Sequence, residues 1–166
     1  YSTVDFNVWP TFSKTILVVL MFVGASAGST GGGIKVSRIL ILAKSVKKEL
    51  KQYLHPHSIS KIKMDGKPVE HDVVRSINVF LVAYLLIYAV SMLIVSLDNF
   101  DFTTTFTSVA ATINNIGPGL DLVGPAANFG LLSVPSKLVL IFDMLAGRLE
   151  IFPLLLLFVP DTWKKF

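Results

Sequence analysis

Residues 24–35 read GASAGSTGGGIK and lie between two apolar runs, TILVVLMFV at 15–23 and ILILA at 39–43. Each glycine costs a helix about 1 kcal/mol relative to alanine. A backbone polar group left without a partner inside a membrane costs more still. Thr11 to Val23 supplies only part of the roughly 20 residues that cross a bilayer, and Ile34 to Ala43 supplies the other part. The two make one crossing only if the glycine stretch lies inside the membrane with them.

Four readings of the stretch compete. GSTGGGIK resembles a phosphate loop, but Ile34 separates Gly33 from Lys35, no Ser or Thr follows the lysine, and no βαβ context surrounds it. GASAG matches a nucleophile elbow with Ser26 at its centre, the mark of an intramembrane serine hydrolase. That enzyme needs a base, and His55, His57 and His71 all fall in the polar stretch outside the apolar runs. Gly24, Gly28 and Gly32 are spaced for tight helix packing, which leaves Gly31 and Gly33 unexplained. The reading that uses them all is an interruption: two half-helices joined by a flexible loop at 24–33, buried in protein or lining a water path. Lys35 follows the break, either snorkelling to the interface or placing a positive charge near the inner mouth of such a path.

Composition supports a membrane setting. Apolar residues make up 52% of the 166 and charged residues only 16%, with a mean hydropathy of +0.66, which excludes an ordinary soluble basic protein. The net charge of +4 therefore implies no nucleic-acid partner, because membrane proteins collect Lys and Arg on their cytoplasmic side. With no cysteine there is no disulfide, thiolate metal site or thiol nucleophile. The opening YSTVDFNVWP (1–10) has no initiator Met and no signal region, and reads as starting inside a larger polypeptide.

After the broken crossing at 11–43 comes a basic stretch at 44–75, expected to be a cytoplasmic loop. SINVFLVAYLLIYAVSMLIVSL at 76–97 is a full crossing, and 134–159 is another. The tail at 160–166 carries Trp163, Lys164 and Lys165, an interface anchor followed by cytoplasmic charge. The segment at 98–133 is the unusual one. Phe102 to Thr112 has helical potential but is too short to span, and Asp98, Asn99 or Asp101 offers an N-cap. NIGPG then stops the helix. A short helix ended by Gly-Pro-Gly between two crossings reads as a re-entrant pore loop, against the plainer alternative of an extracellular turn. A dehydrated alkali cation needs several oxygens, and an extended run of backbone carbonyls at Asn114, Asn115, Ile116, Gly117 and Pro118 can supply them. The short helix points its partly negative end toward that ion.

The last crossing holds Asp143, Arg148 and Glu150. At about 100° per residue the two acids share a face, while Arg148 lies well around from both. Arg148 is therefore expected to meet another segment as a structural ion pair or to face a wet pore as a fixed charge.

GSTGGGIKV, NNIGPG and GRLEIF, in this order and spacing, resemble the C-terminal part of the TrkH/KtrB superfamily of potassium transporters, with the PDTW ending closer to the TrkH branch. The resemblance covers essentially the whole chain. It implies an all-α membrane protein of potassium-channel-like architecture, built of helix–pore loop–helix repeats with one broken transmembrane helix. Residues 76–159 would be the fourth repeat and 11–43 the final helix of the third, with 1–10 following the third filter. It further implies that Gly117 is a filter glycine, that Gly24, Gly28, Gly31, Gly32, Gly33 and Lys35 belong to an intramembrane gate, and that Arg148 faces the pore. Potassium would be the transported ion and would bind only at filter carbonyls; the chain would hold no cofactor and would not be an enzyme. NAD or ATP/ADP would act only through a cytosolic TrkA-like nucleotide-binding subunit. The other implied partners are membrane lipid, the remaining repeats of the transporter and a second copy in a homodimer. The setting would be a bacterial or archaeal plasma (inner) membrane. The alternatives are the hydrolase at Ser26 and a non-conducting structural subunit.

Overall fold

A computed structural model describes residues 3–26, 28–29, 31–56, 61–64, 66–149 and 151. The expected tail at 160–166, the crossing beyond 151, Glu150 and His57 lie outside the described residues. The helices are α1 (Thr11–Val23), α2 (Val36–Leu54), α3 (His71–Val95), α4 (Phe102–Ile113) and α5 (Val134–Arg148). A two-stranded antiparallel hairpin, β1 (Lys63–Met64) and β2 (Lys67–Pro68), separates α2 from α3.

Both ends of the basic stretch are helical rather than loop. Helix α2 continues through Leu54, because VKKELKQYL contains no helix breaker and its lysines are good helix formers. Helix α3 begins at His71, five residues before the expected Ser76, with Asp72 in its first turn complementing the helix dipole. Its 25 residues extend about 37 Å. Among the described residues, it is the one helix long and apolar enough to cross a membrane. It buries Ile77, Phe80, Tyr84, Tyr88, Ser91 and Val95, a helical stripe, and exposes Val79, Val82, Leu86 and Leu93 on the opposite side.

Helix α4 is the centre of the fold although it is the shortest helix. From Val109 to Ile113 four of its five side chains are 0% exposed, and it packs on α5, α3 and α1. Its hydroxyls are satisfied within the helix: Thr107 donates to the Thr103 carbonyl, Ser108 to Thr105 and Thr112 to Ser108. The Asp101 carboxylate caps it by accepting from the Thr104 amide at 3.0 Å and from the Thr104 hydroxyl. Phe22 of α1, Tyr88 of α3 and Phe106 of α4 form a ring cluster with centroids 5.5–6.0 Å apart. The Tyr88 hydroxyl donates to the Phe106 carbonyl. Ser133 caps α5, and the buried Asp143 carboxylate of that helix accepts from Ser91 of α3 at 2.7 Å.

Helix α5 reaches α4 through Gly147. A Cβ there would overlap the Ile113 carbonyl oxygen and lie 2.8 Å from the Asn115 carboxamide nitrogen. Gly147→Ala is therefore expected to destabilise the intact protein by about 1–3 kcal/mol through overpacking against backbone that cannot give way, read as a lowered midpoint of thermal unfolding. An unchanged midpoint would contradict this packing. The Asp101 cap makes a pH-dependent contribution. Its hydrogen bonds to Thr104 hold the carboxyl below its ordinary range. A depressed folded-state value means that the contribution is present in full above the ordinary aspartate range and is lost as pH falls through the depressed value. Asp101→Ala should cost about 0.5–2 kcal/mol near neutral pH, and the difference from wild type should shrink in acid.

Candidate functional site

At the C-terminal end of α4 the chain turns through Asn114 and Asn115, the latter at φ +55, and continues as a lone strand-like segment outside any β-sheet, in which Gly117 has φ +108. The amides of this segment are tied back. Asn115 donates to the Thr112 carbonyl at 3.0 Å and Ile116 to Ala111 at 2.9 Å. Gly117 reaches the same Ala111 oxygen at 3.5 Å, Pro118 has no N–H, and Gly119 donates to Val123 at 2.7 Å. Among the described residues, no hydrogen bond is accepted by the carbonyls of residues 115–118. The strand thus has its donors occupied and its acceptors open, at the partly negative end of a buried helix. A Cβ added at Gly117 would meet nothing within 4 Å, so the strand borders open space there. On the other side Gly119 sits 2.7 Å, as a Cβ would measure it, from Val123 and 2.9 Å from Thr107, whose hydroxyl also accepts from the Leu120 amide.

Both asparagines brace this strand. Asn115 donates its carboxamide to the Met144 carbonyl of α5 at 3.1 Å. Asn114 is buried, donates to the Ala110 carbonyl at 2.9 Å and accepts from the Tyr84 hydroxyl at 3.0 Å. The N-terminal segment holds the strand's outer end: Asn7 donates to the Asp121 carbonyl and accepts from the Asp121 amide.

Between α1 and α2 the described residues, 24–26, 28–29 and 31–35, are non-helical. Gly24 leaves α1 at φ +71, and the Val36 amide donates to the Ala25 carbonyl at 3.1 Å, so the chain returns beside its point of departure. A Cβ on Gly24 would lie 2.9 Å from the Lys35 amide nitrogen. Gly32 faces the Asn114 carbonyl at 2.9 Å and Gly33 the Asn114 side-chain oxygen at 2.7 Å, again as a Cβ would measure them. Gly31 is crowded by Ala25, whereas Gly28 has open space and needs glycine only for its φ of +82. The glycines therefore do not form a helix-packing seam: from Gly24 onward they are outside any helix.

Lys35, Arg38 and Arg148 converge on a cavity of about 150 Å³ that is also bordered by Gly31, Gly33 and Tyr84. Arg38 stacks its guanidinium 4.0 Å over the Phe80 ring. Arg148 occupies the last turn of α5, where a cation complements the helix dipole.

The hydrolase reading fails on geometry. Ser26 is exposed, and His55 caps the far end of α2, a helix about 28 Å long that starts ten residues after Ser26. Among the described residues, no group of His, Cys, Asp or Glu side chains is arranged to hold a metal. Reading the sequence alone did not single out Tyr84 or Gly147. Their signals were a tyrosine pair at i, i+4 inside a crossing, and a glycine one turn from the Asp143 position.

A family model described as TrkH, cation transport protein, matches residues 1–165. The Trk system potassium uptake protein TrkH of Salmonella typhimurium is 43% identical over 157 residues, covering 95% of this chain and 32% of that protein. TrkH of Vibrio parahaemolyticus is 43% identical over 165 residues, covering 99% of this chain and 34% of that protein. TrkG of Escherichia coli is 38% identical over 164 residues, covering 99% and 33%. The crystal structure of the potassium transporter TrkH from Vibrio parahaemolyticus superimposes with a TM-score of 0.84 at 42% identity, covering 99% of this chain and 35% of that one. The chain spans about a third of the length of these relatives. Matched over nearly its whole length by the family model, by these relatives and by a solved structure, the chain is an all-α membrane protein and belongs to the TrkH family of cation transport proteins.

Proposed function

We propose that this chain contributes one filter segment and one gate to a potassium-conducting pore, completed by the remaining repeats of the transporter. The observation that carries the reading is the strand at 115–118, whose amides are occupied and whose carbonyls are open. Four such segments around an axis would surround a dehydrated cation with oxygens. The names of the relatives, potassium uptake proteins, support potassium as the ion.

The excursion at 24–35 is the gate below the filter, held there by Gly32 and Gly33 against Asn114. Arg148 and Lys35 add positive charge beside it and raise the barrier to a cation. The lysine-rich stretch at 44–75 faces the cytoplasm of a bacterial or archaeal cell under the positive-inside rule. There it would meet a TrkA-like nucleotide-binding ring, through which NAD or ATP/ADP would act on a homodimeric transporter.

Two measurements test this reading on the full-length transporter in proteoliposomes. Gly117→Val should reduce rubidium-tracer uptake roughly tenfold or more, since a branched side chain at φ +108 carries about 1–3 kcal/mol of backbone strain. Wild-type flux and selectivity in that variant would refute the filter assignment. Deleting residues within 28–33 should raise basal flux in the absence of the regulatory subunit, and unchanged or lower flux would refute the gate.

A further inference from the structure

We propose that Tyr84 and Asn114 form a positioning pair that couples the loop at 24–35 to the carbonyl strand at 115–118. This rests on the filter and gate reading above and assigns to α3 a part in it. The Tyr84 side chain is 1% exposed and Asn114 is 4% exposed. The Asn114 carboxamide is held at both ends, its oxygen by the Tyr84 hydroxyl at 3.0 Å and its nitrogen by the Ala110 carbonyl at 2.9 Å. Its orientation is therefore fixed by α3 on one side and α4 on the other.

The same oxygen is what Gly33 rests on, and the Asn114 backbone carbonyl is what Gly32 rests on. Three elements thus meet at one residue, and the next residue begins the open-carbonyl strand. The loop has room to leave this seat. Gly31, Gly33 and Tyr84 all border the cavity of about 150 Å³ where Lys35, Arg38 and Arg148 converge. When the loop withdraws, Tyr84 keeps the Asn114 oxygen satisfied and the base of the strand in place. Without the hydroxyl, the carboxamide is anchored at its nitrogen alone. A buried amide oxygen left without a donor turns to find one, and it turns against Gly33 and the first residue of the strand.

Tyr84→Phe removes the hydroxyl and keeps the ring. In the full-length transporter it should change the ratio of rubidium to sodium tracer flux by roughly two- to tenfold, the range that one buried hydrogen bond represents. It should also raise basal flux, and that rise should vanish when the variant is combined with the 28–33 deletion, because both act on the same contact. Tyr88→Phe is the control. One turn along the same buried face, its hydroxyl donates instead to a backbone carbonyl, that of Phe106. It should leave the flux ratio unchanged. An unaltered ratio in Tyr84→Phe would overturn the pairing, as would an equal change in both variants or a basal-flux rise that simply multiplies with the deletion. If the deletion alone leaves flux at the wild-type level, the gate reading fails and this coupling falls with it. A silent Tyr84→Phe beside a responsive deletion removes the coupling alone.

Discussion

The structure depends on one constraint: backbone polar groups at membrane depth must find partners or face water. Helices stop after Val23 and after Ile113, and the described residues that follow each stop find partners differently. In the first, Val36 bonds back to Ala25, so the two half-helices are stitched together across the excursion. In the second, the amides of Asn115, Ile116 and Gly117 fold back onto the end of α4 and the carbonyls are left without donors among the described residues. Carbonyls left open in this way are available to a cation or to water.

The two breaks are in contact, and glycine makes the contact. Gly32 and Gly33 approach the backbone and side chain of Asn114 more closely than any Cβ would allow, and Gly147 of α5 does the same to the Ile113 carbonyl at the end of α4. A short helix with its polar side chains internally satisfied can then sit in the centre of the bundle, surrounded by α1, α3 and α5. Longer helices form the outside, with their apolar ridges exposed along α3 and α5.

Much of this was legible in the residues. The two half-length apolar runs around GASAGSTGGGIK pointed to a helix break between them, because neither run alone is long enough to cross, and α1 does end at Val23 with α2 starting only at Val36. Pro118 between two glycines fixed the end of α4 to within a few residues, and Asp101 was among the caps expected for its start. Less legible was the basic stretch, where periodicity is diluted by lysine and α2 and α3 both extend further than hydropathy alone indicates. Arg148 was visible as an unusual charge, but hydropathy could not show that it ends the described part of α5.

By itself the sequence determined the membrane class, the places where helices must stop and the residues without side chains that permit those stops. Propensity and hydropathy are local, and these features are local too. Only the tertiary structure decided what the breaks touch. It set Gly32 and Gly33 on Asn114, brought Tyr84 from α3 to the same oxygen and placed Gly147 against Ile113. These contacts join residues far apart in the chain, and their partners are chosen by the fit of packed helices, which no single segment encodes.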